Sequence, residues 1–377
     1  MSACKLRFNW HLVTLLAFVI SAHSETIVNG RPSLVLETKA ATVVVDLGGG
    51  SIVQFQLQDQ GLNPLTWTWE GNGVPAVHPM GHFLCLDRWG APSDAESKNG
   101  MPFHGEAAWA VWRITQKPNV AGDEIHAAME TSLPMAGFEV RRRIRLFNEV
   151  PLMIVSESVT NKNKLGRVYN MVQHPTIAPP FLDETTLVDS NGRKGFMQSS
   201  PLPNPEEPVV HWPQALKDGQ PVNLRQLIDD PEPDVVSFTI DDEYGWTTAM
   251  TARKHLLIGY MWKSSDYPWL DVWRDAKNGK PTARGMEFGT AGLHQPEGVL
   301  VAKGQIFGRM LYAHLDAGQT KTRTYAAFLF KIPNDYRGVE RITCESRSLT
   351  LHEHGPGPKR DLTMQVGGLF TEDDQSH

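Results

Sequence analysis

Cysteine is scarce in this chain: 3 occur among 377 residues, and only Cys85 and Cys344 lie beyond the first 24. Two cysteines cannot supply the disulfide framework on which small secreted domains depend, and the sequence leaves open whether they pair. Basic charge is not in excess either. Lys+Arg 36 against Asp+Glu 42 gives a net charge of -6, which offers no electrostatic footprint for nucleic acid or for anionic lipid headgroups. Nucleic acid is therefore not an expected partner. Past the N-terminal region no apolar run approaches the ~20 residues of a spanning helix. Long amphipathic helical patterns are lacking, and no internal repeat occurs at a fixed period. What remains, 41% hydrophobic and 21% charged residues, is the composition of a globular chain and excludes a disordered or collagenous one.

The N-terminus carries Lys5 and Arg7, then an apolar run from Trp10 to Ile20, then the small residues Ser21-Ala22-His23-Ser24. This pattern predicts a secretory signal peptide over residues 1–24. The mature chain of 377 − 24 = 353 residues is then expected outside the cytoplasm, periplasmic or extracellular, with no membrane span after signal removal. No Asn-x-Ser/Thr sequon occurs, which favours a bacterial exported protein over a glycosylated eukaryotic one.

Period-two patterns dominate the remainder. Val53, Phe55 and Leu57 alternate with Gln54, Gln56 and Gln58. Phe138, Val140, Ile144 and Leu146 alternate with Glu139, Arg141, Arg143 and Arg145, with Arg142 as the one break. Such alternation marks half-buried strands. Further β-rich runs cover 151–160, 235–240, 255–262, 305–315 and 322–330. Strands without intervening helices cannot form parallel crossovers, so the expected fold is all-β, a large antiparallel β-sandwich over residues 25–352. A polar C-terminal tail, 353–377, is expected to be partly disordered. Residues 90–101 and 199–233 lack periodicity and read as long loops, where binding sites concentrate.

Several motif readings are weak. Gly48-Gly49-Gly50 lacks a following Gly-Lys-Ser/Thr and reads as a turn between strands. His78, His82 and Cys85 have no nearby fourth ligand for a metal. No Gly-x-Ser-x-Gly elbow is present. Three other segments place ionisable residues at strand ends: Gly81 to Gly90 with Pro102-Phe103-His104-Gly105-Glu106, Gln173-His174-Pro175-Thr176, and Arg284-Gly285-Met286-Glu287-Phe288 with Gln295-Pro296-Glu297-Gly298.

In their order along the chain these segments resemble the aldose 1-epimerase (galactose mutarotase-like) superfamily, most closely its hexose-phosphate mutarotase-like branch. Gly81 to Gly90 and Pro102 to Gly105 look like the family's early block, His174 like its second histidine and Glu287 like its late glutamate. The resemblance extends over about residues 39–330. It implies a galactose mutarotase-like supersandwich that interconverts sugar anomers by opening and reclosing the pyranose ring, with no cofactor or metal. Glu287 would be the base, His174 the acid and His104 an orienting hydrogen-bond partner. A carboxylate of reference pKa ~4.3 and an imidazole near ~6.5 suit those tasks. Arg88 would bind hydroxyls, and Trp262, Trp269 and Trp273 would offer faces on which a sugar stacks. The substrate-binding aspartate has three candidates, Asp234, Asp241 and Asp271. Met80 stands where phosphate-sugar relatives carry an arginine, which points to a neutral small-molecule or oligomeric carbohydrate. The competing readings are a non-catalytic carbohydrate-binding protein on the same fold and a polysaccharide-processing enzyme.

Overall fold

Alternation predicts sheets with one face turned to a core, and in the structure, a computed structural model, that core lies between two large antiparallel sheets. Residues 26–70, 75–227, 230–345, 347–356, 360–366 and 369–370 are described; the expected signal peptide, 1–24, lies outside them. Among the described residues the larger sheet has 12 strands and the facing sheet 8. The middle of the larger sheet runs His82–Asp87, Arg167–Ile177, Lys280–Gly289, Trp269–Lys277 and Val235–Thr239, each antiparallel to its neighbour. The facing sheet includes Leu256–Lys263, Thr320–Lys331, Leu152–Asn161 and Phe138–Phe147 in consecutive positions. Among the described residues helix is confined to short segments, Asp94–Lys98 and Glu297–Lys303, besides two single 3-10 turns. The chain is thus a large antiparallel β-sandwich.

Most of the strand runs read from the sequence are strands within a residue or two: Leu152–Asn161, Val235–Thr239, Leu256–Lys263 and Thr320–Lys331. The run 305–315 is not continuous. Phe307 and Gly308 both take left-handed φ, 48° and 73°, which turns Gln305–Ile306 back on Arg309–Met310 as a hairpin. The aperiodic stretch 90–101 holds the helix Asp94–Lys98, begun by a Ser93/Glu96 capping box. The stretch 199–233 holds the hairpin Gln214–Lys217 with Gln220–Asn223. At the C-terminal end Val339–Glu345, Ser348–Glu353 and Leu362–Gln365 form a three-stranded sheet. Leu349, Leu351, Met364 and Leu369 from this region pack with Trp246, Met250 and Leu257 of the facing sheet, so the boundary read at 352 falls inside a strand, and part of the expected tail is ordered strand.

Arg142, the break in the alternation of its strand, points into the core because a buried acid awaits it. Its guanidinium Nε donates to Glu157 Oε1 at 2.7 Å, a second nitrogen donates to the Gly50 carbonyl, and its carbon lies 4.7 Å from the Trp112 ring centre. Glu157 Oε2 accepts from Gln173 Nε2 at 2.5 Å, and Gln173 Oε1 faces His82 Nε2 at 3.2 Å. This chain of buried polar groups crosses from one sheet to the other beneath the site described below. Breaking one partner of a buried ion pair costs about 3–5 kcal/mol, whereas replacing both by apolar residues is often neutral. Glu157→Ala is therefore expected to lower unfolding stability by about that amount in urea titration, and the double replacement Arg142→Met with Glu157→Leu to recover most of it.

Candidate functional site

The middle strands of the larger sheet are buried on both faces, and their pairing sets a row of side chains across the outer face. Cα partners are Phe83 and His174, Asp271 and Glu287, and Ser237 and Asp271. The register that pairs Gln173 with Phe288 sets His174 against Glu287. Neighbouring strands lie about 4.8 Å apart, so groups in such a row meet.

At the centre of the row, His174 Nε2 lies 3.1 Å from Glu287 Oε1, with both side chains almost wholly buried. The other carboxylate oxygen accepts the indole N–H of Trp89 at 2.7 Å. The imidazole is held from two further sides: its Nδ1 is 2.9 Å from the Thr176 hydroxyl, and its ring stacks on Phe83 with centres 4.2 Å apart. Gly285, two residues before Glu287 on the same face, leaves room for that carboxylate. A Cβ added there would sit 2.7 Å from Glu287 Oε1 and 3.1 Å from the Trp273 Cβ.

His104 reaches the row from a loop. It takes a left-handed φ of 66°, uncommon for a residue other than glycine, and Gly105 follows at φ 75°, where a Cβ would collide with the Leu86 carbonyl at 1.9 Å. The tight turn brings His104 Nδ1 within 3.0 Å of the Gly90 N–H, which it accepts. In the neutral ring the proton is then on Nε2. The ring centre lies 5.3 Å from that of His174 and 5.8 Å from that of His294.

These groups line a cavity of about 570 Å³ whose other walls include Trp67, Trp69, Trp89, Phe103, Gln198, Ser199, Asp234, Trp273, His294 and Gln295. Glu287, His174 and His104 therefore converge, with Trp273 beside them. Three further residues read as substrate-binding do not line this cavity. Trp262 belongs to the facing sheet and stacks flat on Phe288 in the core, centres 4.1 Å apart. Trp269 is buried two residues before Asp271 on the same strand, its indole donating to the Met310 carbonyl at 2.8 Å. Arg88 is buried and pairs with Asp87 at 3.2 Å, Glu297 at 3.0 Å and Glu96. Its cation is consumed in tying the helices Asp94–Lys98 and Glu297–Lys303 together, next to Trp89. Of the candidate aspartates, Asp234 lines the cavity, Asp271 lies buried behind Glu287, and Asp241 pairs with Arg309 at 3.3 Å elsewhere.

Burial governs the protonation of these groups. It pushes the Glu287 carboxyl well above the usual range, with the Asp271 carboxyl adding in the same direction and the Trp89 hydrogen bond opposing. Asp271 is itself pushed well up by burial. Burial pushes His174 down to about 3, His294 to about 4, and His104 well below its ordinary value. The His174–Glu287 pair thus holds one proton, favoured on the carboxyl.

Cys85 and Cys344 are both free thiols. His82 and Cys85 sit three residues apart on one strand and so face opposite sides of the sheet; His82 turns to Gln173 in the core. Among the described residues no group of three or more His, Cys, Asp or Glu side chains is arranged to hold a metal ion. Sequence reasoning missed Trp67, Trp69, Trp89, Phe103, Gln198 and His294. The alternation Thr66-Trp67-Thr68-Trp69, two large aromatics on one side of an extended segment, was the available signal for the first two.

The depressed histidines give a direct expectation. An ordinary imidazole titrates near ~6.5, so His104, His174 and His294 are expected to show flat ring resonances by NMR from pH 8 down to pH 5. The sign for stability follows. Below ~6.5 the unfolded chain takes up protons that these folded rings refuse, so each contributes a loss of stability as the pH falls towards its folded value.

No protein-family model matches the sequence, and no curated protein matches it. Solved structures do. A galactose mutarotase-like protein of Clostridium acetobutylicum aligns over 82% of this chain and 98% of its own with TM-score 0.58 and 12% identity. A candidate aldose 1-epimerase of Escherichia coli K12 aligns over 80% and 99% with TM-score 0.56 and 14% identity. A galactose mutarotase related enzyme of Lactobacillus acidophilus aligns over 80% and 98% with TM-score 0.55 and 15% identity. At such identities the likeness concerns architecture, and this chain has the galactose mutarotase-like fold of the aldose 1-epimerase structures.

Proposed function

We propose that the protein is an exported mutarotase of the aldose 1-epimerase kind, which interconverts the anomers of a neutral aldose. The observation that carries this reading is the buried His174–Glu287 pair at 3.1 Å, one proton between two groups, at the floor of an aromatic-lined cavity. Ring opening needs a base for the C1 hydroxyl proton and an acid for the ring oxygen, so that neither an alkoxide nor an oxonium forms alone. In the ion-pair form, reached when the proton stored on Glu287 passes to His174, the Glu287 carboxylate takes the O1 proton while the His174 imidazolium gives one to the ring oxygen. The C1–O5 bond breaks with its electron pair going to O5, and the C1 carbonyl forms. Rotation about C1–C2 presents the other carbonyl face. Reclosure returns each proton and restores the pair.

Burial stores the shared proton on Glu287, and that neutral pair is the form in which the first transfer leaves the enzyme. The site is accordingly matched to the open-chain aldehyde, the species in which the ring bond has already broken. His104, with Nδ1 engaged by the Gly90 N–H, has Nε2–H left to donate to a sugar oxygen. Asp234 at the wall offers a carboxylate to hydroxyls. The tryptophan and phenylalanine faces suit the C–H face of a pyranose.

Polarimetry of freshly dissolved α-D-glucose and α-D-galactose tests this. The wild type is expected to accelerate mutarotation, and Glu287→Gln and His174→Gln each to lower kcat by about 10²–10⁴-fold, the usual share of general acid–base catalysis. A wild-type protein that leaves the spontaneous rate of every neutral aldose unchanged overturns the proposal.

A further inference from the structure

The rings of the cavity do not stop at its floor. Trp273 meets Trp67 with centres 5.9 Å apart, Trp67 meets Trp69 at 6.4 Å, and Trp69 meets both Trp109 at 5.5 Å and Phe103 at 6.2 Å. The line starts on the strand that carries Asp271, beside Glu287, and ends at Phe103, a wall residue 36% exposed, and beyond the wall at Trp109, which is not fully buried. The outer end is fixed in place: the Trp109 indole donates to the Phe103 carbonyl at 3.0 Å, and the Trp69 segment is bridged to Met80. The tryptophans of the row are half-buried and Phe103 is exposed, so the row offers a continuous apolar strip that a ligand can cover.

The volume points the same way. About 570 Å³ lies within the roughly 300–1,000 Å³ of sites that take drug-sized ligands, while a single hexose has only about twelve non-hydrogen atoms. The lining adds Gln198, Ser199, Asp234 and Gln295, hydrogen-bonding groups suited to hydroxyls, and among the described residues no lysine or arginine lines the cavity. A phosphorylated or sulfated ligand would find no cation there.

Resting on the mutarotase reading of the same site, we propose that the cavity takes the reducing-end residue of a neutral oligosaccharide, and that Trp69, Phe103 and Trp109 stack against the sugar units beyond it. The reacting residue sits over His174 and Glu287, and the aromatic row sets the preference for chain length. Preordered rings make such stacking effective because little side-chain freedom is lost on binding.

The test compares glucose, maltose and maltotriose, and in parallel cellobiose and cellotriose, by polarimetric KM and by calorimetric binding to the full mature chain. In at least one series the trisaccharide is expected to have a KM and a Kd about tenfold or more below those of glucose, a single good aromatic contact being of that order. Trp109→Ala is expected to collapse the ratio between trisaccharide and monosaccharide towards one, while Trp109→Tyr, which keeps a flat face, preserves it and guards against a merely structural effect. Equal constants for all chain lengths in both series, or a ratio that survives Trp109→Ala, overturn this inference and leave the mutarotase reading standing. Trisaccharide binding that depends on Trp109 but comes without accelerated mutarotation supports the extended site and removes the catalytic reading. Absence of binding and of activity with every sugar removes both.

Discussion

The strand Arg167–Ile177 is buried along nearly its whole length on both faces, and the two-residue period of a strand obliges consecutive side chains to serve opposite masters. Gln173 turns inward, where it joins Glu157, Arg142 and His82 in the polar chain that crosses the core. His174 turns outward and meets Glu287. The same step separates Phe288, stacked on Trp262 in the core, from Glu287 on the neighbouring strand. A slip of one residue in the first strand would place an imidazole in the core and an amide in the cavity, and a slip in the second a carboxyl among the core aromatics and a ring in the cavity. The inner network, satisfied at each hydrogen-bonding step named, fixes that register from behind, so the geometry of the outer pair is inherited from the packing of the sandwich.

Taking the pair out of water gives it its chemical character. An isolated buried carboxylate is costly, and the molecule meets that cost by shifting the proton onto the acid while the imidazole stays neutral. Reference pKa values would assign an ionised glutamate and a ready imidazolium. Burial reverses the resting assignment without changing the number of protons held, and in the proposed reaction acid and base exchange roles between the closed and the open sugar. Asp271, next along the row, reinforces the shift on Glu287. The Trp89 indole counters it and anchors one oxygen, which leaves Oε1 as the oxygen turned to His174.

The residues that act through local pattern were legible in the sequence. Alternation marked the strands and left Arg142 as their one break, whose inward pairing with Glu157 shows only in the structure. The Gly-flanked His104 turn, the His174 strand and the Glu287 strand were found because their order along the chain resembles that of a known superfamily. What was not legible depends on contacts between distant segments. Nothing local distinguishes Trp273, on the cavity wall, from Trp262, in the core: both lie on strands of large apolar residues, and only the assignment of each strand to a sheet and a face separates them. His294 lies just ahead of a helix, and distant contacts make it a wall of the site: its N–H donates to Gln198 Oε1 at 2.9 Å, its ring packs edge-on against Trp89, and Arg88 ties that helix to the loop carrying Trp89.

Arg88 shows how charge is managed around the cavity. Read alone, an arginine in a motif beside the reactive block suggests a ligand for hydroxyls or phosphate. In the folded chain it meets Asp87, Glu96 and Glu297, and Asp87 is shared with Arg167 at 2.7 Å. Each of these acids would cost stability if left buried and unpaired, so Arg88 is not free to swing towards a substrate. It acts as a fastener that closes two loops over the row. The cavity is thereby left with carboxyls and imidazoles that burial drives to their uncharged forms, with indoles, and with the carboxylate of Asp234 at its wall. An anionic ligand entering it would shed its water with no cation to receive it, whereas a neutral sugar exchanges hydration for hydroxyl contacts and aromatic faces at little electrostatic cost. Met80 in the sequence and, among the described residues, a cavity lining without lysine or arginine both fit the neutral ligand proposed above.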